Sequence, residues 1–253
     1  GVESSMGNWV ADVYLWATSE NPAYAGTPAQ IALMNPGGLR ADLLKGDDGV
    51  VTYKEAALVQ PFANTLVTVT LTGDQIRGIL NEQWKATGDR PKLHLGVSDG
   101  FTYEYRQDAV DPRVGSVVSM SYQGKPIAAT DTFTVVTNSF LANGGDGFPT
   151  FAKGTDRTDT GQVDLDATLA YFEAMTVVDP APLGRAILAT TQTPTPGQSG
   201  TPGTPGTQPG NTGARPGGGL AVTGAEMPWG IALAGGFLVV AGGLAVALRR
   251  RRV

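Results

Sequence analysis

Ile31-Ala32-Leu33-Met34-Asn35-Pro36-Gly37-Gly38-Leu39-Arg40 opens with four apolar residues and breaks at once into a glycine-rich turn. A short apolar run bounded by Asn, Pro and Gly reads as a buried strand ending in a loop. A second segment repeats the plan. The β-branched run Thr132 to Thr137 reaches Asn138, and Phe140-Leu141-Ala142-Asn143-Gly144-Gly145-Asp146-Gly147-Phe148 follows. Around these two units the hydrophobic period keeps changing. Ser4-Ser5 predicts a helix cap, with Met6, Trp9, Val10, Val13 and Trp16 on one face of a helix to about Thr18. Tyr53 to Val59 reads as a short helix and Thr65 to Leu71 as a strand. Thr72-Gly73-Asp74-Gln75 is a capping box opening a helix to about Trp84. Phe101 to Tyr105 and Val114 to Tyr122 read as paired strands, and Asp164 as the cap of a last helix to about Met175. Helices and strands interleave without regular βαβ spacing, which predicts an α+β fold: a mixed β-sheet with flanking helices.

Composition sets the limits. The 253 residues include one histidine and no cysteine. Disulfides, thiolate metal sites and a cysteine nucleophile are therefore excluded. The lone His94 rules out a histidine-rich metal centre, and in Lys92-Leu93-His94-Leu95 it reads as structural. A net charge of −5 gives no general attraction to a nucleic-acid polymer. Asp47-Asp48-Gly49 lacks calcium-loop spacing and reads as a turn.

Three zones divide the chain: a folded domain over 1–189, a linker over 190–219 and a terminal segment over 220–253. The linker reads as disordered because 23 of its 30 residues are Thr, Pro or Gly, leaving almost nothing apolar to bury. The terminal segment holds Leu220-Ala221-Val222-Thr223-Gly224, an uncharged run over 228–248, and Arg249 to Arg252. At about 1.5 Å per residue such a run spans roughly 30 Å, so it predicts one transmembrane helix with the arginines on the cytoplasmic side.

The two glycine loops fit neither a dinucleotide fingerprint nor a P-loop. Their side chains nevertheless suit an anionic, hydroxylated, flat ligand. Arg40 offers two prongs to a phosphate or carboxylate. Asp146 can accept from vicinal hydroxyls, while Phe62 and Phe140 offer aromatic faces. The competing reading makes both phenylalanines core and pairs Arg40 with Asp42. Exposure decides between the two.

The ordered set Glu3-x-x-Met6-Gly7-Asn8, Asn35-x-Gly37-Gly38-x-Arg40, Pro61-Phe62 and Phe140 to Phe148 resembles the C-terminal domain of the 5'-nucleotidase family over residues 1 to about 178. The resemblance implies that Phe62 and Phe140 sandwich a nucleobase. It further implies that Asp146 holds the ribose hydroxyls, Asn35 contacts the base and Arg40 binds phosphate. Gly37, Gly38, Gly144 and Gly145 then shape the loops. In the family a separate N-terminal metallophosphatase domain carries two divalent metal ions, and an arginine three residues before the matched glutamate clamps phosphate. Neither lies within these residues. The chain thus reads as a C-terminal fragment that binds no metal and is inactive alone. The implied substrates are extracellular nucleotides; 2',3'-cyclic nucleotides, UDP-sugars, NAD, or a non-catalytic wall-displayed binding module are the alternatives. The terminal segment resembles a Gram-positive LAxTG cell-wall sorting signal. That implies a sortase cleaving between Thr223 and Gly224, peptidoglycan as the acceptor, and a domain held outside the cell.

Overall fold

The computed structural model describes residues 1–175 and 177–189. The linker, the LAVTG pentapeptide and the 228–248 span lie outside the described residues. Among the described residues no helix is long and apolar enough to cross a membrane.

The strands in chain order are β1 (Ile31–Met34), β2 (Thr65–Thr72), β3 (Gly96–Val97), β4 (Phe101–Gln107), β5 (Gly115–Tyr122), β6 (Lys125–Pro126), β7 (Thr132–Asn138), β8 (Thr155–Val163) and β9 (Ala186–Leu188). The α-helices are α1 (Ser5–Ala17), α2 (Tyr53–Val59), α3 (Gly73–Asn81), α4 (Ser139–Ala142) and α5 (Asp164–Ala174). The fold is α+β, as the interleaved pattern predicts, but the strands form two sheets where the pattern suggests one. One sheet has the order β3-β1-β7-β2-β8 and the other β6-β5-β4-β9.

Topology decides where the glycine loops go. β1 runs parallel to β7, with Ile31 opposite Val135 and Ala32 opposite Val136. Their C-terminal ends, Met34 and Asn138, therefore finish side by side. Loops that leave parallel strands at their carboxyl ends form a crevice. β2 runs antiparallel to β7 and begins there, with Leu66 opposite Asn138. The Phe62–Asn64 turn that precedes it thus arrives at the same edge.

Alternation along the strands builds two cores. Ile31, Leu33, Val69, Leu71 and Val135 face the second sheet and α3. Ala32, Met34, Leu66 and Val136 face α1 with Trp9, Val13 and Tyr14. β1 is buried on both faces, which explains its unbroken apolar run.

Several boundaries differ from the sequence reading. α3 stops at Asn81, three residues short of Trp84, because Trp84 bridges to Lys92. Leu93 N donates to Gln83 O at 2.8 Å and closes the same turn. Val163, not Asp164, is the N-cap of α5. The Asp164 carboxylate instead accepts from Leu165 N at 2.8 Å and Asn64 Nδ2 at 3.3 Å. β8 has no counterpart in the sequence reading, since Thr155–Val163 is polar on both faces and lies at a sheet edge.

The Glu3…Asn8 motif fastens the segment that leads into β9. Glu3 Oε2 accepts from Gly184 N at 2.7 Å, while Oε1 accepts from Arg185 N at 2.8 Å and Asn8 Nδ2 at 2.9 Å. Burial alone would raise the Glu3 carboxyl, but these donors outweigh it and hold it below the usual range. Asn8 Oδ1 accepts from Val97 N at 3.1 Å, so one short motif ties α1 to β3 and β9.

Candidate functional site

Asn138 starts the construction. As the N-cap of α4 it accepts from Leu141 N at 2.9 Å, and this turns Phe140 off the strand end. The amide nitrogen of the same side chain donates to Asn35 Oδ1 at 2.9 Å. Asn35 Nδ2 then donates to Asp146 Oδ2 at 2.8 Å. A buried relay of two asparagines, one from each loop, thus aims a single carboxylate. Asn35 is only 2% exposed, so its amide serves Asp146 on one side and Asn138 on the other.

The backbone around Asp146 is unusual. Asp146 has φ +53°, in the left-handed region that non-glycine residues enter seldom, Asp and Asn most readily. Two nearby glycines are fixed by close contacts. A Cβ on Gly145 would stand 2.6 Å from the Phe140 ring, and one on Gly37 would stand 2.7 Å from Asp146 Oδ2. Gly38 and Gly144 sit in the same two turns. The ring and the carboxylate take these positions only because side chains are missing opposite them.

Phe62 is 55% exposed and Phe140 47% exposed. Both border one cavity of about 430 Å³, together with Asn35, Gly37, Gly38, Arg40, Asn64, Arg90 and Asp146. Arg40 is exposed, with Cζ 5.9 Å from the centre of the Phe62 ring, and makes no ion pair among the described residues. The reading that made the phenylalanines core and paired Arg40 with Asp42 is therefore set aside. Ala63, between Phe62 and Asn64, has φ +51°. Such a non-glycine conformation costs on the order of 1–3 kcal/mol and is held by its surroundings. Here Asn64 Nδ2, donating to Asp164, provides one such hold.

Five residues expected from the sequence, Asn35, Arg40, Phe62, Phe140 and Asp146, border this cleft, and Asn64 and Arg90 join them without having been expected. Asn64 was detectable, since it follows Phe62 by two residues and directly precedes β2. Arg90 carried no local signal; the Trp84–Lys92 bridge places it. A wider hollow of about 640 Å³ lies beside Asp12 and Arg185. There the arginine is consumed by Asp12 in an ion pair of 2.7 Å.

The lone histidine lies elsewhere. His94 is 4% exposed, packs beside the Tyr103 and Tyr105 rings, and has an Nε2 with no partner among the described residues. Burial, together with the neighbouring Lys92 charge, pushes it down to about 4, so it is neutral at pH 7. Lys92 Nζ stands 3.5 Å from the Tyr105 ring centre and 4.6 Å from that of Trp84, and burial lowers it to about 8.

Similarity to known proteins is consistent with this architecture. The family description "5'-nucleotidase, C-terminal domain" matches residues 1–153. The trifunctional nucleotide phosphoesterase protein YfkN of Bacillus subtilis (strain 168) is 34% identical over 170 residues, which is 65% of this chain and 11% of that protein. The cell wall protein Lmo0130 of Listeria monocytogenes is 32% identical over 155 residues, covering 60% of this chain and 19% of that one. The crystal structure of a 5'-nucleotidase precursor from Thermus thermophilus superposes with a TM-score of 0.59 at 34% identity, covering 74% of this chain and 35% of that one. The chain belongs to the 5'-nucleotidase family and carries its C-terminal domain. It spans about a third or less of the length of these relatives.

Proposed function

We propose that this chain is the nucleotide-gripping part of a 5'-nucleotidase-type phosphohydrolase. One observation carries the reading: two half-exposed phenylalanines border one cavity with a carboxylate held by a buried asparagine relay and an arginine that has no ion pair among the described residues. In this reading a nucleobase stacks between the rings, ribose hydroxyls donate to Asp146, and Arg40 takes the phosphate. Asn35 acts chiefly by orienting Asp146, since its amide is already engaged on both sides. Stacking on aromatic faces is worth about 1–3 kcal/mol per base and tolerates any base. Energy gained on base and ribose positions the phosphate for chemistry elsewhere.

The two divalent metals of the family do not fit these residues. Among the described residues no group of three or more His, Cys, Asp or Glu side chains is placed to hold a metal ion. We assign the metals to a metallophosphatase domain outside this sequence and predict that the chain alone hydrolyses no AMP. 2',3'-Cyclic nucleotides, UDP-sugars and NAD remain alternative substrates of the whole enzyme, and a non-catalytic wall-displayed binding module the alternative role. For location, we propose display on a Gram-positive cell wall through sortase cleavage between Thr223 and Gly224. The support is the terminal sequence pattern and the similarity to a Listeria cell wall protein. Mass spectrometry of the wall-released protein is expected to end at Thr223; an intact Arg249–Arg252 terminus would refute the processing.

The binding reading is tested by titrating AMP, GMP, CMP and UMP into the intact chain. All four are expected to bind with Kd values within about tenfold of one another, as a stacking pair without base readout demands. Absence of binding by all four would overturn it.

A further inference from the structure

Arginines in this protein divide by what they hold. Of the seven in residues 1–189, Arg77, Arg113, Arg157 and Arg185 donate hydrogen bonds to protein acceptors. Among the described residues Arg40, Arg90 and Arg106 donate none from the side chain, and two of these three, Arg40 and Arg90, border the cavity between the phenylalanines. The surrounding domain is acidic, with 22 Asp and Glu against 13 Lys and Arg. An arginine that finds no carboxylate there, and faces a cleft, is available to a ligand anion.

The loop that carries Arg90 is braced. Lys85 N donates to Pro91 O at 2.8 Å and closes its base. Arg113 reaches in from the β4–β5 turn, donating to Lys85 O at 3.0 Å and Gly88 O at 2.8 Å. Lys85 Nζ donates to Gly147 O at 2.8 Å and stands 3.9 Å from the Phe148 ring centre. The loop is thereby tied to the turn that holds Asp146. Its cation is presented by a held backbone, so little order is lost when a ligand engages it.

We propose that Arg90 is a second phosphate-reading residue of the cleft, acting from a loop separate from that of Arg40. A planar guanidinium pairs with phosphate oxygens through two parallel N–H donors. Two such groups on separate loops select a phosphorylated nucleoside over the free one. This rests on the nucleotide-binding reading above and adds to it a specificity-determining residue.

The test is calorimetric titration of adenosine and AMP into the intact chain, the Arg90→Gln variant and the Arg90→Lys variant. Arg90→Gln is expected to weaken AMP about tenfold and adenosine less than twofold, with Arg90→Lys recovering part of the loss. The salt dependence of AMP binding should also flatten in Arg90→Gln, because one phosphate contact is gone. Equal losses for both ligands would make Arg90 structural, and no loss for either would make it a solvated surface residue. Each of these overturns the inference while leaving the nucleoside cleft intact. Failure of the parent chain to bind adenosine would instead bring down the underlying reading and this one with it.

Discussion

The same residue types meet twice in this protein, with opposite consequences. In the cleft, Arg40 lies near Phe62, whose ring is half exposed beside a cavity. Behind β4, Lys92 lies against Tyr105 and Trp84 with His94 alongside, and both the lysine and the histidine are buried. Cation and aromatic ring are partners in both places. In the buried set Lys92 Nζ, His94 Nε2 and Trp84 Nε1 also lack hydrogen-bond partners among the described residues, but they are sealed from solvent and the basic groups are depressed. The cleft set leaves its faces and donors open to a ligand. Residue chemistry alone does not mark a site; accessible surplus does. A half-exposed phenylalanine pair and an arginine without an acid are capacities the fold itself does not use.

This contrast can be broken most forcefully from the buried side. Tyr103, 1% exposed and hydrogen-bonded to Gln83, belongs to that set. Tyr103→Ala should cost about 3–5 kcal/mol of stability, as large aromatic truncations in cores do. Denaturant unfolding would show it, and a loss below about 1 kcal/mol would mean the layer is less sealed than its burial indicates.

Next in size is the response to acid. His94 stays neutral in the fold down to about pH 4, whereas in the unfolded chain it protonates near its ordinary 6.5. Between those values the unfolded state binds a proton that the folded state refuses. Stability therefore falls as pH drops through that window, by on the order of 3 kcal/mol in full. His94→Phe should flatten that part of the curve. An unchanged pH profile would show that His94 titrates normally.

On the cleft side, Asn138→Ala removes a helix cap and the donor to Asn35 together. Loss of the cap costs about 1 kcal/mol of stability, and a loosened Asp146 should weaken adenosine more than tenfold. Stability lost with adenosine affinity intact would dissolve the proposed relay. The smallest effect belongs to Gly145→Ala, whose added methyl meets the Phe140 ring at 2.6 Å. The ring must turn, and adenosine affinity should drop about tenfold with little change in melting temperature. Unaltered affinity would show that the position of Phe140 is unimportant.

Much of this arrangement was legible beforehand because it is written locally. The run Ile31–Met34 is apolar throughout since both faces of β1 are covered, and the helix Tyr53–Val59 is bounded by its own capping box and Pro61. Phe62, Phe140, Arg40 and Asp146 each stand beside a turn signal. What escaped depends on distant partners. β8 is a polar edge strand whose pairing with β2 leaves no hydrophobic period. The second sheet is completed by β9, held by Glu3 from 182 residues earlier in the sequence. Arg90 reaches the cleft through a bridge between Trp84 and Lys92 that no local pattern announces.

The central claim, that Phe62 and Phe140 form a nucleoside clamp, is tested most directly by calorimetric titration of adenosine into the intact chain and into a Phe62→Ala, Phe140→Ala double variant. Both rings are about half exposed, so the variant should fold as the parent does. Stacking at about 1–3 kcal/mol for the base predicts saturable binding in the parent, weakened by ten- to a hundredfold in the variant. Equal affinity in the two proteins would contradict the clamp.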